Sequence, residues 1–191
     1  MTVKIGVLAL QGAVSEHVKS LRASGADAAE VKHTDDLEDL DGLVLPGGES
    51  TTMRRLMDKY ELFDAIKSFA ERKPVFGTCA GLILMAQKIE GRTGPHLGIL
   101  DIDVKRNAYG RQVDSFEADL TIKHVSDHYD GVFIRAPYIK SVGPEVEILS
   151  TYEDHIVACR QGRFLTCAFH PELTDDLSLH RYFVHLVEES I

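Results

Sequence analysis

Apolar and polar positions along this chain switch between two periods, and the switches mark out the elements. Residues 4–10 form a nearly continuous apolar run, the pattern of a strand buried on both faces. Val14, Val18 and Leu21 then recur at helical spacing until Gly25 stops the helix. A second strand is expected over residues 28–32. Residues 42–45 are apolar again and end at Pro46-Gly47-Gly48, after which Met53, Leu56, Met57 and Tyr60 repeat at helical spacing. Leu62, Ile66, Phe69 and Ala70 share one face of a third helix. Residues 74–76 read as a short strand feeding Gly77-Thr78-Cys79-Ala80-Gly81, and Leu82, Ile83, Met85, Ala86 and Ile89 are expected to form another helix.

Strand and helix in alternation predict a parallel sheet, because parallel strands need crossover helices and bury both faces. In the middle of the chain the period becomes two. Leu100, Ile102 and Val104 alternate with polar residues, as do Phe116, Ala118, Leu120 and Ile122, which is the pattern of half-exposed, antiparallel strands. Residues 156–159 and 164–169, joined across Gln161-Gly162, read as a hairpin, and Leu179, Tyr182, Phe183 and Leu186 mark a last helix. The expected fold is α/β: three layers, a mostly parallel central sheet flanked by helices, with extra antiparallel strands. Its 191 residues contain no linker, repeat or low-complexity tract, so a single domain over residues 1–191 is expected.

Charge and cysteine usage narrow the function. The formal net charge is −9, with no block of Lys and Arg, which disfavours nucleic acid as a partner. The longest apolar runs fall short of the ~18 residues that span a bilayer, and the first ten residues lack the features of an export signal. No membrane partner is expected. Cys79, Cys159 and Cys167 have neither zinc-ligand spacing nor an even disulfide framework, so a reducing cytoplasm and no metal or other cofactor are expected.

Open sheets of this kind bind ligands at the carboxyl ends of their strands. Cys79 stands there in a G-x-C-x-G sequence between strand and helix, the setting of a nucleophile elbow with sulfur in place of oxygen. The turn aims the thiol at a helix N-terminus, whose dipole favours thiolate. His170-Pro171-Glu172 directly follows another strand end, and Pro171 biases His170 toward extended geometry. Residues two apart in an extended segment point to one side, so Glu172 can orient the His170 ring. Pro46-Gly47-Gly48-Glu49 offers backbone N–H groups to an oxyanion, or else is an ordinary loop with Ser50 or Thr51 as helix cap. Gln11-Gly12 ends the first strand on the same edge.

These residues are where a family becomes visible. The Cys79 elbow, Phe169-His170-Pro171-Glu172 and Pro46-Gly47-Gly48 resemble class I, triad-type glutamine amidotransferases over essentially the whole chain. More narrowly, residues 6–12, 45–54, Arg106-Asn107 with Tyr109-Gly110-Arg111-Gln112-Val113, Ser115-Phe116-Glu117, residues 133–137 and residues 170–174 are similar to the glutaminase subunits of pyridoxal 5′-phosphate synthases. The resemblance implies hydrolysis of L-glutamine by Cys79, His170 and Glu172, with ammonia passed to a separate ring-forming synthase subunit. It further implies oxyanion donors at Gly48 and Ala80, and a glutamine pocket from Gly47, Gly48, Glu49, Arg106, Ile134 and Arg135. Gln11 is expected at the docking face, helping to set the Gly47-Gly48 peptide. A cysteine peptidase or stress protein on the same scaffold, and a non-catalytic regulatory subunit, remain as alternatives.

Overall fold

Four apolar runs in the first half of the chain become adjacent parallel strands, each returned to the sheet by helical or turn structure. The computed structural model describes residues 2–107 and 115–191. Its first half runs β1 (Lys4–Leu8), α1 (Val14–Ala23), β2 (Asp27–Val31), β3 (Gly42–Leu45), α2 (Ser50–Lys59), α3 (Leu62–Ala70), β4 (Val75–Thr78) and α4 (Ala80–Met85). The second half runs β5 (Ala86–Ile89), β6 (Leu100–Lys105), β7 (Ser115–Ile122), β8 (Ser126–Ile134), β9 (Tyr138–Val142), β10 (Glu147–Tyr152), β11 (His155–Gln161), β12 (Phe164–Cys167) and α5 (Ser178–Glu189).

The main sheet has the order β2-β1-β3-β4-β12-β11-β9-β6-β5, with β10 paired to β11 and a separate β7-β8 hairpin. From β2 to β12 every pair is parallel, and β3 and β4 are buried along their whole lengths. The fold is therefore the expected mostly parallel sheet flanked by helices. The expected hairpin is β11 and β12, turning at Gly162 with φ +57°. Leu100 to Lys105 is antiparallel to β9 but parallel to β5.

One expected element is corrected. The helix expected to carry Leu82 to Ile89 stops at Met85, and Ala86–Ile89 is a strand. The misreading has a physical origin. The pairing of β5 with β6 is irregular between Ala86 and Lys88, so Ala86 and Ile89 are buried while Gln87 and Lys88 are exposed. A bulged strand thereby copies the three-residue spacing of a helix face.

Aromatic packing ties the helices and the hairpin to the sheet. Phe183 of α5 sits on Phe76 of β4 with ring centroids 5.3 Å apart, and both are fully buried. Burial of side chains this size stabilises by about 1.5–3 kcal/mol each. Phe133 of β8 stacks on Phe116 at 4.7 Å and contacts Phe169 at 5.5 Å, which seats the hairpin beside the end of β12. Among the described residues, no helix is long and apolar enough to cross a membrane.

Candidate active site

Cys79 occupies the junction of β4 and α4 with φ +52° and ψ −106°. Such backbone costs a non-glycine residue about 1–3 kcal/mol, so the surrounding structure has to hold it there. Gly81 allows the turn to close: a Cβ at that position would collide with the Leu45 carbonyl oxygen. The residue is 6% exposed, and its Sγ lies 3.8 Å from the carbonyl oxygen of Ile134 at the end of β8.

His170 reaches the same place through the sheet. In the parallel register of β4 and β12, Thr78 faces Cys167, and the Cys79 N–H donates to the Cys167 carbonyl at 2.9 Å. The His170 N–H in turn donates to the Val132 carbonyl at 2.8 Å. His170 is near-extended at φ −107° and ψ 89°, but Pro171–Leu173 then forms a 3-10 turn. That turn, not the extended run expected from Pro171, returns Glu172 beneath the ring. Proline suits the first position because its fixed φ is already helical. His170 Nδ1 and Glu172 Oε1 are 2.6 Å apart.

Electrostatics favour a charged imidazole. Burial alone would lower the His170 pKa, but hydrogen bonds to Cys79 and Glu172 outweigh it and push it up to about 10. Burial pushes Cys159 up to about 12 and drives Cys167 upward as well.

Gly47 and Gly48 line the opposite wall. A Cβ on Gly47 would lie 2.7 Å from His170 Cε1, so an unsubstituted backbone is what allows this strand end to touch the imidazole. Gln11 Oε1 accepts the N–H of Glu49 at 2.6 Å and lies 2.5 Å from where a Gly48 Cβ would stand. The cap of α2 is neither Ser50 nor Thr51. Glu49 takes that position, its carboxylate accepting the N–H groups of Thr51 and Thr52. An anion is favoured there by the helix dipole. Ala80 opens α4, where a first-turn N–H has no intrahelical acceptor.

A cavity of about 770 Å³ opens beside this wall. Of the expected pocket residues, Gly48, Glu49, Arg106 and Arg135 line it, joined by Gln11, which was expected at the docking face. Ser50, Ile83, Glu90 and Asn107, which were not expected there, line it too. Cys79, Ala80, Ile134 and His170 are not part of that lining. A Cβ added to Gly47 would meet both His170 and Cys79, so this glycine links them to Gly48 at the cavity wall. The expected block Tyr109-Gly110-Arg111-Gln112-Val113 lies outside the described residues.

Sequence reasoning missed one group entirely. His17 of α1 and His180 of α5 are both fully buried. His17 Nε2 lies 3.2 Å from Glu172 Oε2 and 3.3 Å from Thr78 Oγ1, and its Nδ1 lies 3.0 Å from His180 Nε2. Burial, the largest cause, lowers both pKa values, that of His180 to about 4. A signal was present: His17 falls in step with Val14, Val18 and Leu21, and His180 with Phe183, so each belongs to an apolar stripe.

Known proteins resemble this chain along nearly its whole length. The pattern of the SNO glutamine amidotransferase family matches residues 7–189. The pyridoxal 5′-phosphate synthase subunit PdxT of Oenococcus oeni is 75% identical over 100% of both chains. The PdxT of Geobacillus thermodenitrificans is 63% identical, covering 98% of this chain and 96% of its own. A crystal structure described as a glutamine amidotransferase superposes with a TM-score of 0.91 at 46% identity, covering 96% of this chain and 98% of that one. The structure of PurLQS from Thermotoga maritima, with a TM-score of 0.63 at 17% identity and coverage of 100% of this chain and 98% of that one, shares the fold alone. With the match running through nearly every element described above, the chain belongs to the SNO glutamine amidotransferase family.

Proposed function

We propose that this chain is the glutaminase subunit of a pyridoxal 5′-phosphate synthase, hydrolysing L-glutamine to L-glutamate and ammonia and passing the ammonia to a ring-forming partner subunit. The reading is supported by its high identity to proteins of that name. The observation that carries the chemistry is the His170 Nδ1 to Glu172 Oε1 contact of 2.6 Å on a histidine that also bonds Cys79.

In this reading Cys79, His170 and Glu172 form the catalytic triad. Cys79 attacks the side-chain amide carbon of glutamine after giving its proton to His170. The tetrahedral oxyanion is met by the N–H groups of Gly48 and Ala80, and loss of one such donor costs about 10²- to 10³-fold in rate. As the C–N bond breaks, His170 returns the proton and ammonia leaves, with the glutamyl group held as a thioester on Cys79. Water, deprotonated by His170, attacks the thioester, releases glutamate and restores the thiol. Glu172 keeps the ring oriented and stabilises its cation throughout.

Gly47, Gly48, Glu49, Arg106, Ile134 and Arg135 form the glutamine site. Arg106 and Arg135 suit the α-carboxylate, and Glu49 suits the ammonium. Gln11, bonded to the Glu49 peptide, links the docking face to the Gly47-Gly48 wall. The chain acts as a single cytoplasmic domain and needs no metal or other cofactor for this hydrolysis.

The test is glutamate release from glutamine by the chain mixed with a ring-forming synthase subunit. Cys79→Ala is expected to lower the rate by more than about 10³-fold, as loss of a nucleophile does. Equal release by the parent and by Cys79→Ala, or none by the parent with its partner, rejects the reading.

A further inference from the structure

The carboxylate that orients His170 has a second oxygen, and that oxygen is buried. Glu172 Oε2 has no well-aligned hydrogen-bond partner among the described residues, and His17 Nε2 stands 3.2 Å from it. An unpaired carboxylate oxygen away from water is costly, so the neighbour that faces it matters. We propose that His17, backed by His180, is a positioning residue that holds Glu172, and through it His170, in the reactive orientation. The inference rests on the triad reading above and extends it from the second helix-borne histidine to the nucleophile.

The proton positions follow from the contacts. His17 and His180 are both neutral, since burial disfavours their charged forms. One proton must lie between His17 Nδ1 and His180 Nε2, which are 3.0 Å apart. Were it on His17 Nδ1, the bare Nε2 lone pair would face the Glu172 carboxylate. The proton therefore belongs to His180 Nε2, leaving His17 to donate from Nε2 into the space shared by Glu172 Oε2 and Thr78 Oγ1. This assignment leaves His180 Nδ1 without a proton, and that is the ring atom of His180 without a partner among the described residues. Donation then runs in one sense, from His180 to His17 to Glu172, while His170 Nδ1 donates to the other carboxylate oxygen.

The remaining titratable neighbours of Glu172 reinforce the need for a donor. Among the described residues, Tyr129 from β8 and Cys167 from β12 also feel its charge. Burial pushes both upward, so each stays neutral and supplies no positive charge. Hydrogen bonds that are loose in the free enzyme commonly tighten once substrate is bound, and a small rotation of His17 would align its N–H on Oε2.

The experiment compares His17→Gln with His17→Asn in the complex with the ring-forming subunit. A glutamine amide reaches the level of Nε2 and can donate to Glu172; an asparagine amide stops at the level of Nδ1. His17→Gln is expected to keep kcat near the parent value. His17→Asn is expected to lose about 10- to 100-fold in kcat, the scale of one hydrogen bond to a charged group, with KM for glutamine little changed. Alkylation of Cys79 by a chloroketone analogue of glutamine should slow in the same order. Equal kcat values for the two variants overturn the proposal. Glu172→Gln is run beside them: full activity there removes the triad reading itself, whereas an inactive Glu172→Gln with an active His17→Asn removes only the role of His17.

Discussion

Thr78 and Cys167 are Cα partners in the parallel register of β4 and β12, and this pairing places the thiol of Cys79 and the ring of His170 at one sheet edge. Parallel strands end on the same side, so residues just past two neighbouring strands meet even when far apart in the chain. The hydrogen bond from the Cys79 N–H to the Cys167 carbonyl, at 2.9 Å, extends that register into the elbow.

Gly47 packs closely against the His170 ring. A methyl group there would lie 2.7 Å from His170 Cε1 and force the ring off its position. Gly47→Ala is expected to cost about 1–3 kcal/mol of stability by overpacking. It should also lower kcat by about 10²-fold, since ångström-scale misplacement of a catalytic group has that effect. Unfolding curves and glutamate release measured on one preparation check both.

Gln11 contributes little to the free chain beyond its bond to the Glu49 N–H. Gln11→Ala should therefore cost no more than about 0.5–1.5 kcal/mol in unfolding free energy. Stimulation of glutamine hydrolysis by the ring-forming subunit should fall by roughly tenfold or more, equivalent to about 1.4 kcal/mol of lost coupling. Stimulation unchanged from the parent would remove Gln11 from the docking face.

The three thiols should separate in labelling. Cys159 is held near pKa 12 and Cys167 is driven upward by burial, while Cys79 lies beside an imidazole held up at about 10. Mass spectrometry after mild alkylation should find the label on Cys79 first, with the other two modified only in denaturant. Cys159 or Cys167 reacting ahead of Cys79 in the native protein would contradict the site.

Acid should unfold the protein partly through its buried histidines. His180 is depressed to about 4 from 6.5, so its neutral burial stabilises fully above pH 6.5 and loses that contribution as pH falls toward 4. The loss amounts to about 3 kcal/mol, and His17 adds to it with the same sign. His170 has the opposite sign, contributing below pH 6.5 and losing its contribution as pH rises through about 10. Denaturant midpoints across this range should fall on both sides, and His180→Leu should lessen the fall on the acid side only.

Much of the site was legible in the sequence because it is set by short stretches of chain. A glycine two residues to either side of Cys79 and paired glycines after β3 dictate local backbone paths, whereas Pro171 pointed to an extended run where the chain makes a 3-10 turn. The alternation of apolar runs and helical stripes likewise determined a parallel sheet, since no other arrangement buries such strands on both faces. The end of α4 was not legible: spacing alone does not separate a helix face from a bulged strand, and only pairing with β6 made Ala86–Ile89 a strand. His17 and His180 looked like ordinary members of apolar stripes. Which buried polar atom they meet depends on how α1 and α5 pack against β4 and the turn at Pro171. That packing is a sum of many weak, long-range contacts, so only the tertiary structure decided that an imidazole on the first helix faces the carboxylate behind the last strand.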